Sequence, residues 1–441
     1  MKSAERSIKV PIPKTAPPQR VALKIQRRCY GRDALTEIGI HHYLRRDHGP
    51  SPDLIGFHEA FFHDGHVCTA YELHGRSLDT FVDRGPLPLD EVRAITRQLL
   101  GGLVRMHEYG FAHTDVKPQN ILHRRTPRPR ARLSDLGNAD NILRQGSNRC
   151  TRDYTPPEVL LGNPLDPRLD LWSLACTVFE LATGHVLFDP YKATRRKYKE
   201  FNQELPETAY DPSVAADAAA EAAEQYRPGH ILSGKYRLES KLGSGKFATV
   251  WRATVLNSTP LDGTYDTLSA RCKEIEDATP TDTPSTADPA RAWRKARGAQ
   301  DLHDLVLNYE HLVLIQDLLG PPPREWAASG NYASAYCSPD GRLKHDPAPA
   351  NPVTLETLLR RRKLRATDAR NLAAFLMPML TWKPTDRPAA FSTLQHAWLL
   401  GEDQVAKRIS KSFPAYSNMQ RSLDDPSRQA AHYGVQPVGM M

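Results

Sequence analysis

The chain has 441 residues, 40% of them hydrophobic and 25% charged, with a formal net charge of +8 and a mean hydropathy of −0.54. That length and composition allow one large or two to three ordinary domains with a real core. No apolar run reaches the ~18–20 residues of a membrane span, and six scattered cysteines without CxxC or Cys/His spacing argue against a zinc site or a disulfide framework.

The opening, MKSAERSIKVPIPK, lacks the apolar stretch of a signal peptide, so an intracellular protein is expected. Residues 1–19 read as a disordered, Pro/Lys-rich tail. RVALKI (20–25) reads as a strand, RDALTEIGIHHYLRR as a helix, and HVCTAYELHG (66–75) as a second strand. From PLDEVRAITRQLL onward the apolar spacing becomes helical, with Pro88 and Asp90 as start signals. Strands first and helices afterwards predict an α+β, two-lobed protein: a small lobe over 20–75 and a helical large lobe over 76–190 and 302–402, followed by a tail over 403–441. Between these, 191–301 reads as a low-complexity insert containing AADAAAEAAEQ and DATPTDTPSTADPA. Inside it, GKYRLESKLGSGKFATVWRA (234–253) is patterned as strand, Gly-rich turn, strand. SARCKEI, with Lys273, reads as a weak echo of the lysine-bearing strand. The basic clusters at 124–132, 195–199 and 360–365 read as solvated surfaces, with no aromatic interleaving to suggest direct nucleic-acid binding.

The chemistry concentrates in HTDVKPQN (113–120) and in SDLGNAD, which begins at Ser134. Phosphoryl transfer from ATP needs positioned phosphates, metal ligands and a carboxylate to orient the attacking hydroxyl. Asp115 can accept the hydroxyl proton and Lys117 can steady the transferring phosphate. Asn120 and Asp135 offer the hard oxygen donors that Mg²⁺ prefers, and Gly137 lets the backbone turn beside Asp135.

These residues, in this order and spacing, resemble the eukaryotic-type protein kinases. The resemblance assigns His113, Asp115, Lys117 and Asn120 to the catalytic loop and Asp135 and Gly137 to the metal-binding turn. Lys24 matches the strand lysine that holds the α/β-phosphates, and Glu37 its helix partner. Glu72 and Leu73 match the hinge that contacts adenine. Glu158 of PPE pairs with Arg387 in the family pattern, and Asp170 leads the long buried helix of the large lobe. The loop that roofs the phosphates, normally just before VALKI, is found instead at 233–254, with Gly243, Gly245 and Val250 in its pattern. If 233–254 folds back, it adds two strands beside Lys24; the rival is an insert that hangs loose.

HTDVKPQNIL, SDLGNA and FELATGHVLFDP narrow the resemblance to the SR-protein kinase family of the CMGC group. That family implies ATP and Mg²⁺ as cofactors, serine/threonine phosphorylation of Arg-Ser-rich splicing factors, a monomer acting in cytoplasm and nucleus, and no membrane partner. The alternatives are a LAMMER-type kinase, or a pseudokinase scaffold with an impaired nucleotide site. Thr114 stands where most kinases have an arginine that reads an activation-loop phosphate, which implies an enzyme folded active. Arg342 of DGRLKH stands where an acidic docking residue is expected, and the net positive charge does nothing to attract a basic peptide.

Overall fold

The computed structural model describes residues 19–27, 30–46, 49–125, 130–141, 150–200, 226–245, 248–261, 263–278, 289–344 and 353–400. Nearly all of the two predicted tails, the first low-complexity run of the insert, most of the second and part of the 124–132 basic cluster lie outside them. The chain divides into two units, 1–394 and 395–441; in the second, Ala397–Leu400 is helical.

The small lobe begins as the sequence predicts, with β1 (Arg20–Gln26), α1 (Gly31–Arg45), β2 (Phe57–His63) and β3 (His66–Glu72). In β1 the alternation works as written: Val21, Leu23 and Ile25 are buried on one face, and Lys24 lies on the other. The remaining strands come from the insert: β4 (Ile231–Leu232), β5 (Tyr236–Ser244) and β6 (Ala248–Val255). They complete a six-stranded antiparallel sheet in the order β2-β3-β1-β6-β5-β4. β6 runs the whole length of β1, from Arg20 opposite Thr254 to Gln26 opposite Ala248, with Lys24 opposite Val250. The displaced segment therefore folds back in cis, and β1 becomes an interior strand.

Burial explains why a segment so distant in sequence docks here. Leu232, Tyr236, Leu238, Trp251 and Ala253 join Val21, Leu23 and Ile25 in one apolar cluster, and Tyr236 stacks on Phe61 at 5.4 Å. Each large side chain so buried stabilises by roughly 1.5–3 kcal/mol. Lengthening the connecting loop costs only about 0.6 kcal/mol per doubling.

In the large lobe, α2 (Leu89–Glu108) packs against α3 (Leu169–Thr183). Almost every residue of α3 is buried, which is why its sequence reads as a continuous apolar run rather than an amphipathic one. Trp172 stacks on Phe188 at 5.5 Å and lies under the Arg387 guanidinium at 5.2 Å. Arg387 meets Glu158 in a two-pronged pair, 2.7 Å at each prong, with both side chains fully buried. Such a pair holds the lobe together because losing either partner strands a charge in the interior.

Three expectations are corrected. Residues 191–301 are not a low-complexity insert throughout: the helix Pro190–Glu200 extends into them, and β4, β5 and β6 belong to the small-lobe sheet. SARCKEI is not a strand but part of α4 (Tyr265–Ala278), because Leu268 and Cys272, four residues apart, are buried together on one helix face. The large-lobe segment expected from residue 302 opens earlier, with α5 (Pro289–Leu319).

Candidate active site

Asp115 lies in the cleft side of the large lobe and is 5% exposed. Five donors surround its carboxylate. Oδ1 accepts from the Thr151 hydroxyl (2.6 Å) and amide (3.2 Å), and Oδ2 from Asn120 Nδ2 (2.9 Å) and Asn138 Nδ2 (3.3 Å), with Lys117 Nζ at 2.8 Å. Lys117 also donates to the Thr151 hydroxyl at 2.5 Å. The carboxylate is thus oriented from both oxygens, and the long bond from Asn138 is the weakest of the set to exchange for an incoming hydroxyl.

The loop beneath is held from α3. Asp170, fully buried, accepts the backbone amides of His113 and Thr114 and the His107 ring, each at 2.8 Å. His113 in turn meets the Ser134 carbonyl at 3.0 Å through Nε2, tying the loop to the strand before Asp135. Thr114 has φ +66° and Asp135 φ +62°, left-handed conformations that a β-branched residue in particular adopts only under constraint. For Thr114 the constraint is Asp170 on its amide and the Asn138 carbonyl on its hydroxyl, 2.7 Å away.

Across the cleft, Lys24 Nζ sits 2.8 Å from Glu37 Oε2 and 2.8 Å from Asp135 Oδ1, and the Tyr71 hydroxyl donates to Glu37 Oε1 at 2.8 Å. Burial by itself would lower the Lys24 ammonium, but Asp135 and Glu37 outweigh it and hold it well above its ordinary value. Lys24 reciprocally pulls the Asp135 carboxyl down. A side-chain carbon at Gly137 would lie in ordinary contact with the triad, 3.4 Å from both Asp135 Oδ1 and Glu37 Oε2 and 3.8 Å from Lys24 Nζ, so Gly137 borders these three groups directly.

The remaining predicted residues fall in the same neighbourhood. Val250 faces Lys24 across β1 and β6, and Gly243 faces Val250 across β5 and β6. Gly245 closes the tip, its amide bonding the Ala248 carbonyl (2.9 Å) and its carbonyl accepting Arg27 (3.1 Å); residues 246–247 lie outside the described residues. Glu72 ends β3 and Leu73 follows it, but protein groups already hold two of their backbone atoms: the Glu72 amide bonds Gly56 and the Leu73 carbonyl accepts Arg124. The donor set fits a hard divalent cation. Both contacts from the Asn120 amide nitrogen go to Asp115, which leaves its side-chain oxygen as the ligand atom, and Asp135 supplies a half-exposed carboxylate.

Sequence reasoning missed Thr151, Asn138, Tyr71 and His107. Asn138 belongs to SDLGNA, a motif already singled out, whereas Thr151 carried no signal beyond a hydroxyl a few residues before PPE. Tyr71 and His107 carried no signal beyond an aromatic in a strand and a histidine at a helix end.

Residues 15–225 match the family model of the protein kinase domain. The fold is that of a protein kinase domain. The match ends before β4, so the roof strands of this kinase fold are identified by their register rather than by it. Among relatives, the chain is 31% identical over 178 residues to "Homeodomain-interacting protein kinase 1" of Caenorhabditis elegans, covering 38% of this chain and 21% of that protein. It is 34% identical over 178 residues to "Probable dual specificity protein kinase YAK1 homolog" of Encephalitozoon cuniculi, covering 38% and 43%. It is 28% identical over 218 residues to "Probable serine/threonine-protein kinase clkA" of Dictyostelium discoideum, covering 39% and 23%. The chain therefore spans less than half the length of each of these relatives.

Proposed function

We propose that the protein transfers the γ-phosphate of ATP to serine or threonine hydroxyls of other proteins, and that its substrates are Arg-Ser-rich, as the SR-protein kinase resemblance implies. The observation that carries the reading is the placement of Asp115, oriented through both oxygens, across the cleft from Lys24 in its pair with Glu37. The substrate hydroxyl replaces the weak Asn138 contact on Asp115. Its oxygen bonds to the γ-phosphorus as the bond to the β,γ-bridging oxygen breaks; Asp115 takes the proton and ADP leaves. Lys117 balances charge on the transferring group, and Lys24 turns from Asp135 to the α/β-phosphates. A divalent cation held by Asn120 and Asp135 would neutralise phosphate charge.

The net charge of +8 gives no long-range attraction for a basic peptide. The Arg342 charge that argued against such a substrate is partly met by Asp340, 3.2 Å away. A second reading, transfer to tyrosine as well, is favoured by the dual-specificity names among the relatives. Radiolabelled ATP with an Arg-Ser peptide, a Lys-Ser control and a tyrosine peptide separates these. Incorporation into none of the three, with the protein folded, would refute the kinase reading. Equal labelling of the Arg-Ser and Lys-Ser peptides would remove the Arg-Ser class.

A further inference from the structure

The insert supplies more than the roof of the cleft. After β6 the chain turns at Gly263, whose backbone lies so close to β2 that a side chain there would overlap the Ala60 carbonyl oxygen, 1.6 Å from the added carbon. It then enters α4, whose start is fixed by the Thr264 hydroxyl accepting the Thr267 amide at 3.3 Å. Helix α4 lies against α1, the helix that carries Glu37. Leu268, fully buried, and Cys272, 7% exposed, enter one apolar cluster with Ala34, Leu35 and Ile38 of α1. Tyr265 reaches the Gly39 position, 3.9 Å from an added carbon there, and Arg271 sits over Phe62 of β2 at 5.5 Å. Glu37 and Ile38 are adjacent in α1, so the packing that fixes Ile38 also fixes the carboxylate that holds Lys24.

We propose that α4 is an intramolecular brace and that Leu268 and Cys272 are positioning residues for the Lys24–Glu37 pair. Without Leu268 and Cys272, the cluster holding Ala34, Leu35 and Ile38 would keep only its sheet side, with Phe57, Ala60, Val67 and Tyr71, and a helix packed from one side only is held less firmly in its working position. The brace is covalently continuous with β6. One stretch, 226–278, therefore delivers both the phosphate roof and the support of the opposite wall. The proposal rests on the kinase reading for what the pair does, yet nucleotide affinity tests it without any phosphorylation.

The geometry offers a direct test. A side-chain carbon at Gly31 would lie 3.7 Å from Cys272 Cβ and 2.9 Å from its sulfur. That carbon-to-carbon spacing falls inside the disulfide range of about 3.5–4.5 Å. In the full chain, Leu268→Ala weakens the binding of a fluorescent ATP analogue by about five- to fiftyfold, within the usual span of coupling between two parts of a protein, about five- to 150-fold. KM for a protein substrate stays within about twofold, less than the smallest coupling usually measured. Leu268→Met keeps the wild-type affinity. Adding Gly31→Cys to Leu268→Ala and oxidising it joins the new thiol to Cys272 and restores nucleotide affinity; reduction removes it again. Should Leu268→Ala fail to fold, Tyr265→Ala, at a half-exposed position, gives a smaller loss in the same direction. Wild-type affinity in the folded truncation variant, or a crosslink verified by mass that restores nothing, overturns the brace. Absence of protein phosphorylation by the wild type would sink the function and leave this result standing.

Discussion

The two halves of the cleft are built by opposite strategies. On the large-lobe side, Asp115, Lys117 and Asn120 share one short loop, and the groups that hold them, Asp170, Ser134 and Thr151, follow within 57 residues. On the small-lobe side, Lys24 lies on a strand whose neighbour in the sheet, β6, is more than 200 residues away in the chain. The large-lobe half is held by buried polar contacts, and the roof mainly by apolar packing of Tyr236, Leu238 and Trp251 on a sheet. Polar networks fix orientation to tenths of an ångström, whereas apolar packing tolerates a change of connection as long as the surfaces meet. Chain order is therefore dispensable for the roof and not for the catalytic loop.

The largest expected effect tests the polar half. Asp115→Asn removes the proton acceptor and lowers transfer by about 10²–10⁴-fold, while binding of an ATP analogue stays unchanged. Turnover near the wild type would show that the loop has been misassigned. Asp135→Asn, by contrast, loses metal-dependent nucleotide binding as well, because it removes the only carboxylate of the proposed metal pair.

Next comes the apolar half. Deleting 222–256 removes β4 to β6 and exposes the edge of β1, and nucleotide binding is lost. Moving the same segment in front of β1 restores it. The Val255 amide already bonds the Gln19 carbonyl at 2.9 Å, so a two- to four-residue turn joins the ends. Calorimetric titration with an ATP analogue on both variants decides the matter. A relocated segment that folds the small lobe but binds nothing would mean that the present connection is itself required.

A smaller effect comes from Glu180, which accepts the Tyr154 hydroxyl at 2.5 Å. Its folded pKa of about 7 lies above the unfolded value of about 4.3–4.5, so burial favours the protonated acid. Its contribution to stability is fully present below the unfolded value and is lost as pH rises through about 7. Between pH 5 and pH 8 the wild type should lose about 1–3 kcal/mol more than Glu180→Gln, read by denaturant unfolding at each pH. Parallel pH curves for the two proteins would show that Glu180 titrates normally. The smallest expected effect is none: phosphatase treatment changes activity by less than about twofold, because no arginine at position 114 awaits a phosphate. A treated sample that lost most of its activity would reveal a phosphate reader elsewhere.

Much of the site was legible because its polar residues sit at short, fixed spacings. Lys24 with Glu37 and Glu158 with Arg387 meet as the motifs imply. The return of 233–254 to β1 was inferable from an otherwise open strand edge and a loop out of place. Helix α4 was not, since its two buried residues are separated by polar ones and only the α1 surface gives that spacing meaning. Asn138 and Thr151 were hidden for another reason: a side chain that points at a carboxylate from a neighbouring turn leaves no periodicity to read.

The late position of β6 also sets a timetable for synthesis. Strand β1 is made by residue 26 and gains β3 on one side by residue 72, but its other edge waits for residues 248–255. At 5–20 residues per second that wait lasts about 10–45 s. Throughout it the nascent chain carries an open strand edge flanked by Val21, Leu23 and Ile25, whose apolar face is still short of its β5 and β6 partners. An open edge of this kind pairs readily with other chains. Yield of soluble protein should therefore fall when translation is slowed between residues 72 and 248, which lengthens the exposure, and a version made with the roof strands first should be least sensitive to that slowing.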